Sequence, residues 1–142
     1  DNIIPLVASA VINFRIIPGE TITTVTNRVI NIINDKRITI KKGSFLSEPS
    51  KVSSTSSFGY KTLNKTILEI YPTALVAPYL LVGATDSRHF NAISDNIYRF
   101  SAIKLNKENI KSFHGLNERL PISDFENSIR FYHQLIKNST SK

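Results

Sequence analysis

The sequence predicts an α/β protein, and three observations carry that expectation. Residues 8–17, "ASAVINFRII", alternate with the period of two that a half-buried strand requires. Residues 21–34 then switch to the helical period, placing Ile22, Val25, Val29 and Ile33 on one stripe with Ile32 beside it. Residues 73–82 are almost wholly apolar, the pattern of a strand covered on both faces.

In residues 8–17, Ala10, Ile12, Phe14 and Ile16 share one face, and Val11, Asn13, Arg15 and Ile17 share the other. Pro18-Gly19 ends that strand. Thr21 is placed to cap the following helix, and Asn34-Asp35 breaks it. Residues 37–41, "RITIK", alternate again, so the chain opens as strand–helix–strand. If the two strands run parallel in one sheet, the crossover is expected to be right-handed. One such unit is small and needs further strands to close a core. Residues 43–57, "GSFLSEPSKVSSTSS", are rich in Ser with Gly and Pro, and read as a linker.

Beyond it, residues 58–71 fit a helix with Tyr60, Leu63, Ile67 and Tyr71 on one face. Pro78 within the apolar strand 73–82 argues for an edge, a bulge or a kink, and Gly83 ends it. Residues 85–93 start a short helix, and residues 96–103 form a further strand. Ser123-Asp124-Phe125-Glu126 is a capping box opening a last helix, with Phe125, Ile129, Tyr132 and Ile136 on one stripe. No internal repeat is visible.

Bulk properties narrow the function classes. Hydrophobic residues at 41% against 20% charged predict a folded chain. Cysteine is absent, which excludes a disulfide framework and a thiolate metal site within these residues. Cytoplasmic and periplasmic or secreted locations both stay open. The longest apolar run, residues 74–83, is half of the roughly 20 residues that a membrane-spanning helix needs. No signal-peptide pattern appears, and the start at Asp1 reads as a portion of a longer chain. A net charge of +7 and a pI near 9.8 raise the question of nucleic acid. The basic residues are spread along the chain without a run of five to eight, so a basic solvated surface is the preferred reading.

Three places can carry chemistry. The junction "GATDSRHF" (83–90) follows an apolar strand and leads into a helix, whose unpaired N–H groups suit a carboxylate or phosphate. Thr85, Ser87 and Arg88 add donors there, and Arg88 can grip a carboxylate with two parallel hydrogen bonds. The plain alternative is that Thr85 or Asp86 caps a helix and Arg88 is a surface residue. His114, in "SFHGLNE" (112–118), is either a metal ligand or a loop histidine, and pattern alone favours the loop. No HExxH occurs, His89 and His133 lack ligand spacing to His114, and any partner ligands must come from outside this chain. Arg15 shares its strand face with Asn13 and either reaches over a substrate or is solvated.

Taken together, "NIIPLVASAVINFRIIPGETI" (2–22), "SEPS" (47–50), "GATDSRHF" (83–90), "IYRF" (97–100) and "FHGLNERLPISDFENSIRFYHQLI" (113–136) resemble a known family. It is the zinc-dependent metallopeptidase and amidohydrolase family of carboxypeptidase S, the aminoacylases and succinyl-diaminopimelate desuccinylase. The chain is most similar to the carboxypeptidase S-like branch, which includes N-acyl-amino-acid hydrolases. The stretches run in the family's order across nearly the whole chain. The resemblance implies that residues 1–42 are the second half of a ferredoxin-like α+β lid, of the type that mediates dimers. It implies that 43–57 link the lid back to the catalytic domain, and that 58–142 are the C-terminal part of that α/β domain.

Roles follow residue by residue from the resemblance. His114 matches the family's last metal ligand. Arg15 and Asn2 match lid residues that reach the substrate's carboxylate and the reacting carbonyl. Residues 83–88, with Gly83, Thr85 and Arg88, match a loop that lines the substrate pocket. The family's H-x-D motif, bridging Asp, Glu-Glu pair, next acidic ligand and lid histidine have no counterpart in these residues. The implied protein is a zinc enzyme, with one or two ions, cleaving an amide bond beside a free carboxylate in a peptide or N-acyl amino acid. This chain alone is then expected to be inactive and to need the missing N-terminal part of the same protein. An exposed lid edge strand also allows a homodimer. The rival expectations are a basic α/β binding module without chemistry, which predicts salt-sensitive nucleic-acid binding, and a catalytically dead family member.

Overall fold

A computed structural model describes residues 4–141 of the chain. They divide into two units, one running up to Ser50 and the other from Lys51 onward.

The first unit is organised around one helix, α1 (Ile22–Ile33). Its start is fixed by local chemistry. Thr24 N–H donates to Thr21 Oγ1 at 3.1 Å, and Thr21 N–H donates to Thr24 Oγ1 at 2.9 Å, so two orphan donors are satisfied reciprocally. Glu48 Oε2 accepts a third, the Ile22 N–H, at 3.0 Å. Ahead of the helix, Pro18-Gly19 makes the turn closed by Glu20 N–H donating to Ile17 O at 3.1 Å, and Gly19 takes φ 95°, which suits glycine. At the far end Asn34 stops the helix in the left-handed conformation, φ 43°. The apolar stripe Ile22, Val25, Val29 and Ile33 is half-buried, while Ile32 beside it is exposed.

The second unit pairs α2 (Phe58–Ile70) with α3 (Ile122–Thr140). Ile67, Ala102 and Phe131 form its buried core, flanked by Leu63, Ile70, Tyr71, Ala74, Val76 and Leu135. Ser57 caps α2 through its side chain. Gly59 fits closely beside that cap: a Cβ there would sit 3.2 Å from the Tyr98 ring, which would have to shift by a few tenths of an ångström. Between α2 and α3 runs a polar seam. Thr66 is fully buried, donates to Thr62 O at 2.8 Å and accepts from Asn138 Nδ2 at 2.9 Å. The segment after the short 3-10 helix Asp86–Ala92 is held by side chains: Tyr71 donates to Ala102 O at 3.1 Å, and Asp124 accepts from Lys104 N–H at 3.2 Å.

Three expectations need correction. The strands expected at 8–17, 37–41, 73–82 and 96–103 do not form among the described residues. A strand is held by a neighbour's backbone groups, and none of these stretches finds one. Many of their apolar side chains stay open, Ile12, Phe14, Ile38 and Leu80 among them, while Ala74, Val76 and Ala102 join the core of the second unit. What the structure supports directly is a helical chain rather than a complete α/β sheet. The capping box at Ser123–Glu126 is also absent. Here α3 begins two residues earlier, with Pro121 as its N-cap, whose carbonyl accepts from Asp124 and Phe125 N–H, and Asp124 turns inward to serve Lys104. Finally, the stripe Phe125, Ile129, Tyr132 and Ile136 lies on the exposed side of α3. The inner face is Asp124, Ser128, Phe131, Leu135 and Asn138, the same helical period turned by one position.

Candidate functional site

Residues 83–90 form a compact turn. Thr85, in extended backbone, caps the 3-10 helix Asp86–Ala92 by accepting from Ser87 N–H at 3.3 Å, and Arg88 N–H donates to Thr85 O at 3.2 Å. The Thr85 and Ser87 hydroxyls are hydrogen-bonded to each other. Arg99 Nε–H donates to Ser87 Oγ and reaches Thr85 Oγ1 at 3.4 Å. Thr85 is exposed and Arg88 half-buried. Gly83 sits in open surroundings, where a Cβ would meet nothing closer than the Leu81 side chain at 3.9 Å. Sequence patterning picked out Thr85, Ser87 and Arg88 here but missed Arg99. The available signal was alternation in "IYRF": Tyr98 and Phe100 face Tyr60 and Phe131, so Arg99 points to the other side.

His114 follows the 3-10 turn Asn109–Ser112 and has a left-handed backbone, φ 60°, as does Asn117 at φ 62°. For non-glycine residues these conformations are uncommon and concentrate at functional turns. The imidazole is exposed and meets the Phe113 ring edge-on at 4.8 Å between centroids. Among the described residues no three His, Asp or Glu side chains gather as a metal-binding group. Arg15 belongs to the first unit and is exposed, and Asn2 lies outside the described residues. The cleft between α2 and α3, about 400 Å³ and lined by Phe58, Leu63, Tyr98, Phe131 and Leu135 among others, contains none of the candidate residues.

Comparison with known proteins decides the family. Over 138 residues the chain is 40% identical to probable carboxypeptidase S-like 2 of Dictyostelium discoideum, which takes in 97% of this chain and 27% of that protein. It is 43% identical over 140 residues to the N-fatty-acyl-amino acid synthase/hydrolase PM20D1 of Xenopus tropicalis, again 97% of this chain and 27% of the relative. Identity to human PM20D1 is 36% over 140 residues. The chain belongs to the carboxypeptidase S-like family. This carboxypeptidase S-like chain spans 27–28% of the length of these relatives. No family model matches it. No solved structure matches it either. No helix among the described residues is long and apolar enough to cross a membrane.

In the carboxypeptidase S-like chain, the displaced ionisations lie away from the candidate residues. The Arg28 hydrogen bond, then that from Thr24, holds Glu20 below the usual carboxylate range. Asp35 is lowered by its hydrogen bonds from Arg37, and Asp95 by Lys51. Glu69 is lowered chiefly by Asn138. Burial, and then the Asp124 charge, raises the Tyr71 phenol. These shifts describe how helices and turns are fastened rather than an acid–base pair.

Proposed function

We propose that this chain is the C-terminal part of a zinc-dependent hydrolase that cleaves an amide bond beside a free carboxylate, in a peptide or an N-acyl amino acid. The observation that carries the reading is 36–43% identity over 97% of the chain to relatives named carboxypeptidase S-like or N-fatty-acyl-amino acid synthase/hydrolase. In this reading residues 1–42 complete an α+β lid, and residues 58–142 complete an α/β catalytic domain. Unpaired stretches such as 8–17 and 73–82 then find their neighbours in strands contributed by the rest of the protein.

The donor set of a one- or two-zinc centre needs at least three or four ligands. With no group of three among the described residues, this chain fits the role of a contributor only, and His114 is its contribution. An exposed imidazole held on a left-handed turn is accessible to a metal shared with other ligands. When bound, zinc polarises the carbonyl and lowers the pKa of its water. The chain's own residues bind and orient: Arg15 grips the carboxylate, Asn2 approaches the reacting carbonyl, and the 83–88 turn with Thr85 and Arg88 lines the pocket. The general base comes from the remainder of the protein, so these 142 residues alone do not turn over substrate.

The test is His114→Ala in the intact protein, with bound zinc and hydrolysis of N-acyl amino acids measured together. Zinc content is expected to fall and the rate to drop by about a hundredfold or more, as loss of a positioned catalytic element does. Unchanged metal and rate would remove His114 from the ligand set.

A further inference from the structure

The network at residues 85–99 contains a directional device. Tyr98 and Phe100 are anchored on the helices: the Tyr98 ring packs tilted against Tyr60 at 5.8 Å between centroids and its hydroxyl bonds Ser57 and Ser54, while the Phe100 and Phe131 ring centroids lie 4.9 Å apart. Alternation sends the residue between them to the opposite side. There Arg99 Nε–H donates to Ser87 Oγ, with Thr85 Oγ1 also in reach at 3.4 Å. A guanidinium donates and never accepts, and Ser87 N–H likewise donates to Thr85 Oγ1. The two hydroxyls hold two hydrogens. One lies in the bond between them, and with Arg99 and the Ser87 amide filling acceptor sites, the other has no acceptor among the described residues and is free to donate to a ligand.

We infer that Arg99 is a positioning residue, which sets the Thr85–Ser87 hydroxyl pair to donate one hydrogen bond to an anionic group of the ligand, a carboxylate. This rests on the hydrolase reading above, in which the turn lines the substrate pocket. Arg99 acts through Ser87 and Thr85 and touches no reacting atom. A lysine does not replace it, because its ammonium lies at the tip of a longer flexible stem and lacks the fixed Nε donor.

The experiment is a double-mutant cycle in the intact protein, reading KM and kcat for an N-acyl amino acid and for its C-terminal amide. Arg99→Ala and Ser87→Ala are each expected to raise KM for the free acid about three- to tenfold, with kcat little changed. The double variant should lose no more than the larger single, because the two residues act as one unit. Ser87→Thr should restore the wild-type KM, Arg99→Lys should not, and the amide should be nearly indifferent to all five variants. Losses that multiply in the double variant, or that fall equally on acid and amide, would overturn the inference. If His114→Ala and Arg88→Ala impair hydrolysis while Arg99 and Ser87 act independently, only the positioning role falls. If His114→Ala and Arg88→Ala leave hydrolysis untouched, the hydrolase reading falls with it.

Discussion

The side-chain amide of Asn138 donates to the Thr66 hydroxyl at 2.9 Å across the α2–α3 seam. Thr66 is fully buried, so this hydroxyl has no recourse to water if its donor is lost. Asn138→Ala is therefore expected to destabilise the protein by about 1–2 kcal/mol, read by chemical denaturation. Thr66→Val should cost less, since it keeps the shape and leaves Asn138 its second partner, Glu69 Oε2 at 2.8 Å. Denaturation midpoints for Asn138→Ala equal to those of the parent would show that the seam is held by apolar packing alone.

The same amide gives the seam a pH dependence. Asn138, more than the Lys65 charge, lowers the Glu69 pKa from its ordinary value. A carboxyl whose folded pKa is depressed contributes stability that is present above its unfolded pKa and disappears as pH falls through the folded one. The loss therefore begins as pH drops past the ordinary carboxylate range. Glu69→Gln is expected to lower the melting temperature at neutral pH, and the gap to the parent should close in acid. A gap that stays constant from neutral to acid pH would separate Glu69 from this linkage.

Legibility in the sequence followed the range of the interactions. The ends of α1 were readable because Thr21 and Asn34 act on backbone within four residues. On α2 the apolar side of the inner face, Tyr60, Leu63, Ile67 and Tyr71, was readable as one stripe, whereas the buried Thr62 and Thr66 beside it were not. In α3 the apolar stripe misleads. The helix turns Phe131 and Leu135 inward together with Asp124, Ser128 and Asn138, whose partners Lys104, Ala102 and Thr66 lie 20, 26 and 72 residues away. Periodicity reports which face is apolar, and it cannot report a polar face that has specific partners. The alternating stretches carry a correct strand pattern but no neighbour to pair with. At the candidate site, the Thr85 cap was local and visible, whereas the Arg99 reach to Ser87 spans 12 residues and was not.

The N-cap of α1 offers a test of the first unit by itself. Thr21 both accepts from Thr24 N–H and presents its own N–H to Thr24 Oγ1. Thr21→Ala removes the side-chain half of this box and is expected to cost about 1 kcal/mol. Because α1 carries no fully buried residue, the effect should be concentrated there. Amide hydrogen exchange should accelerate across the first turns of α1 while α2 and α3 keep their protection. Uniform acceleration throughout the chain would mean that the helix does not open as a local unit.

Arg15 carries the most specific functional expectation of the first unit. It is exposed, on the stretch 8–17 that also presents Asn13. A guanidinium that grips a carboxylate makes charge-assisted, paired hydrogen bonds. Their loss costs about 1.5–3 kcal/mol, which corresponds to roughly ten- to hundredfold in kcat/KM. Arg15→Ala in the intact protein should therefore raise KM and lower kcat for substrates with a free carboxylate. The C-terminal amide lacks the charge that Arg15 would hold, so it should lose far less. Steady-state kinetics on an acid–amide pair of one N-acyl amino acid measures the difference directly. Equal losses on the two would assign Arg15 to the shape of the lid and leave the carboxylate to Arg88 and the Thr85–Ser87 pair.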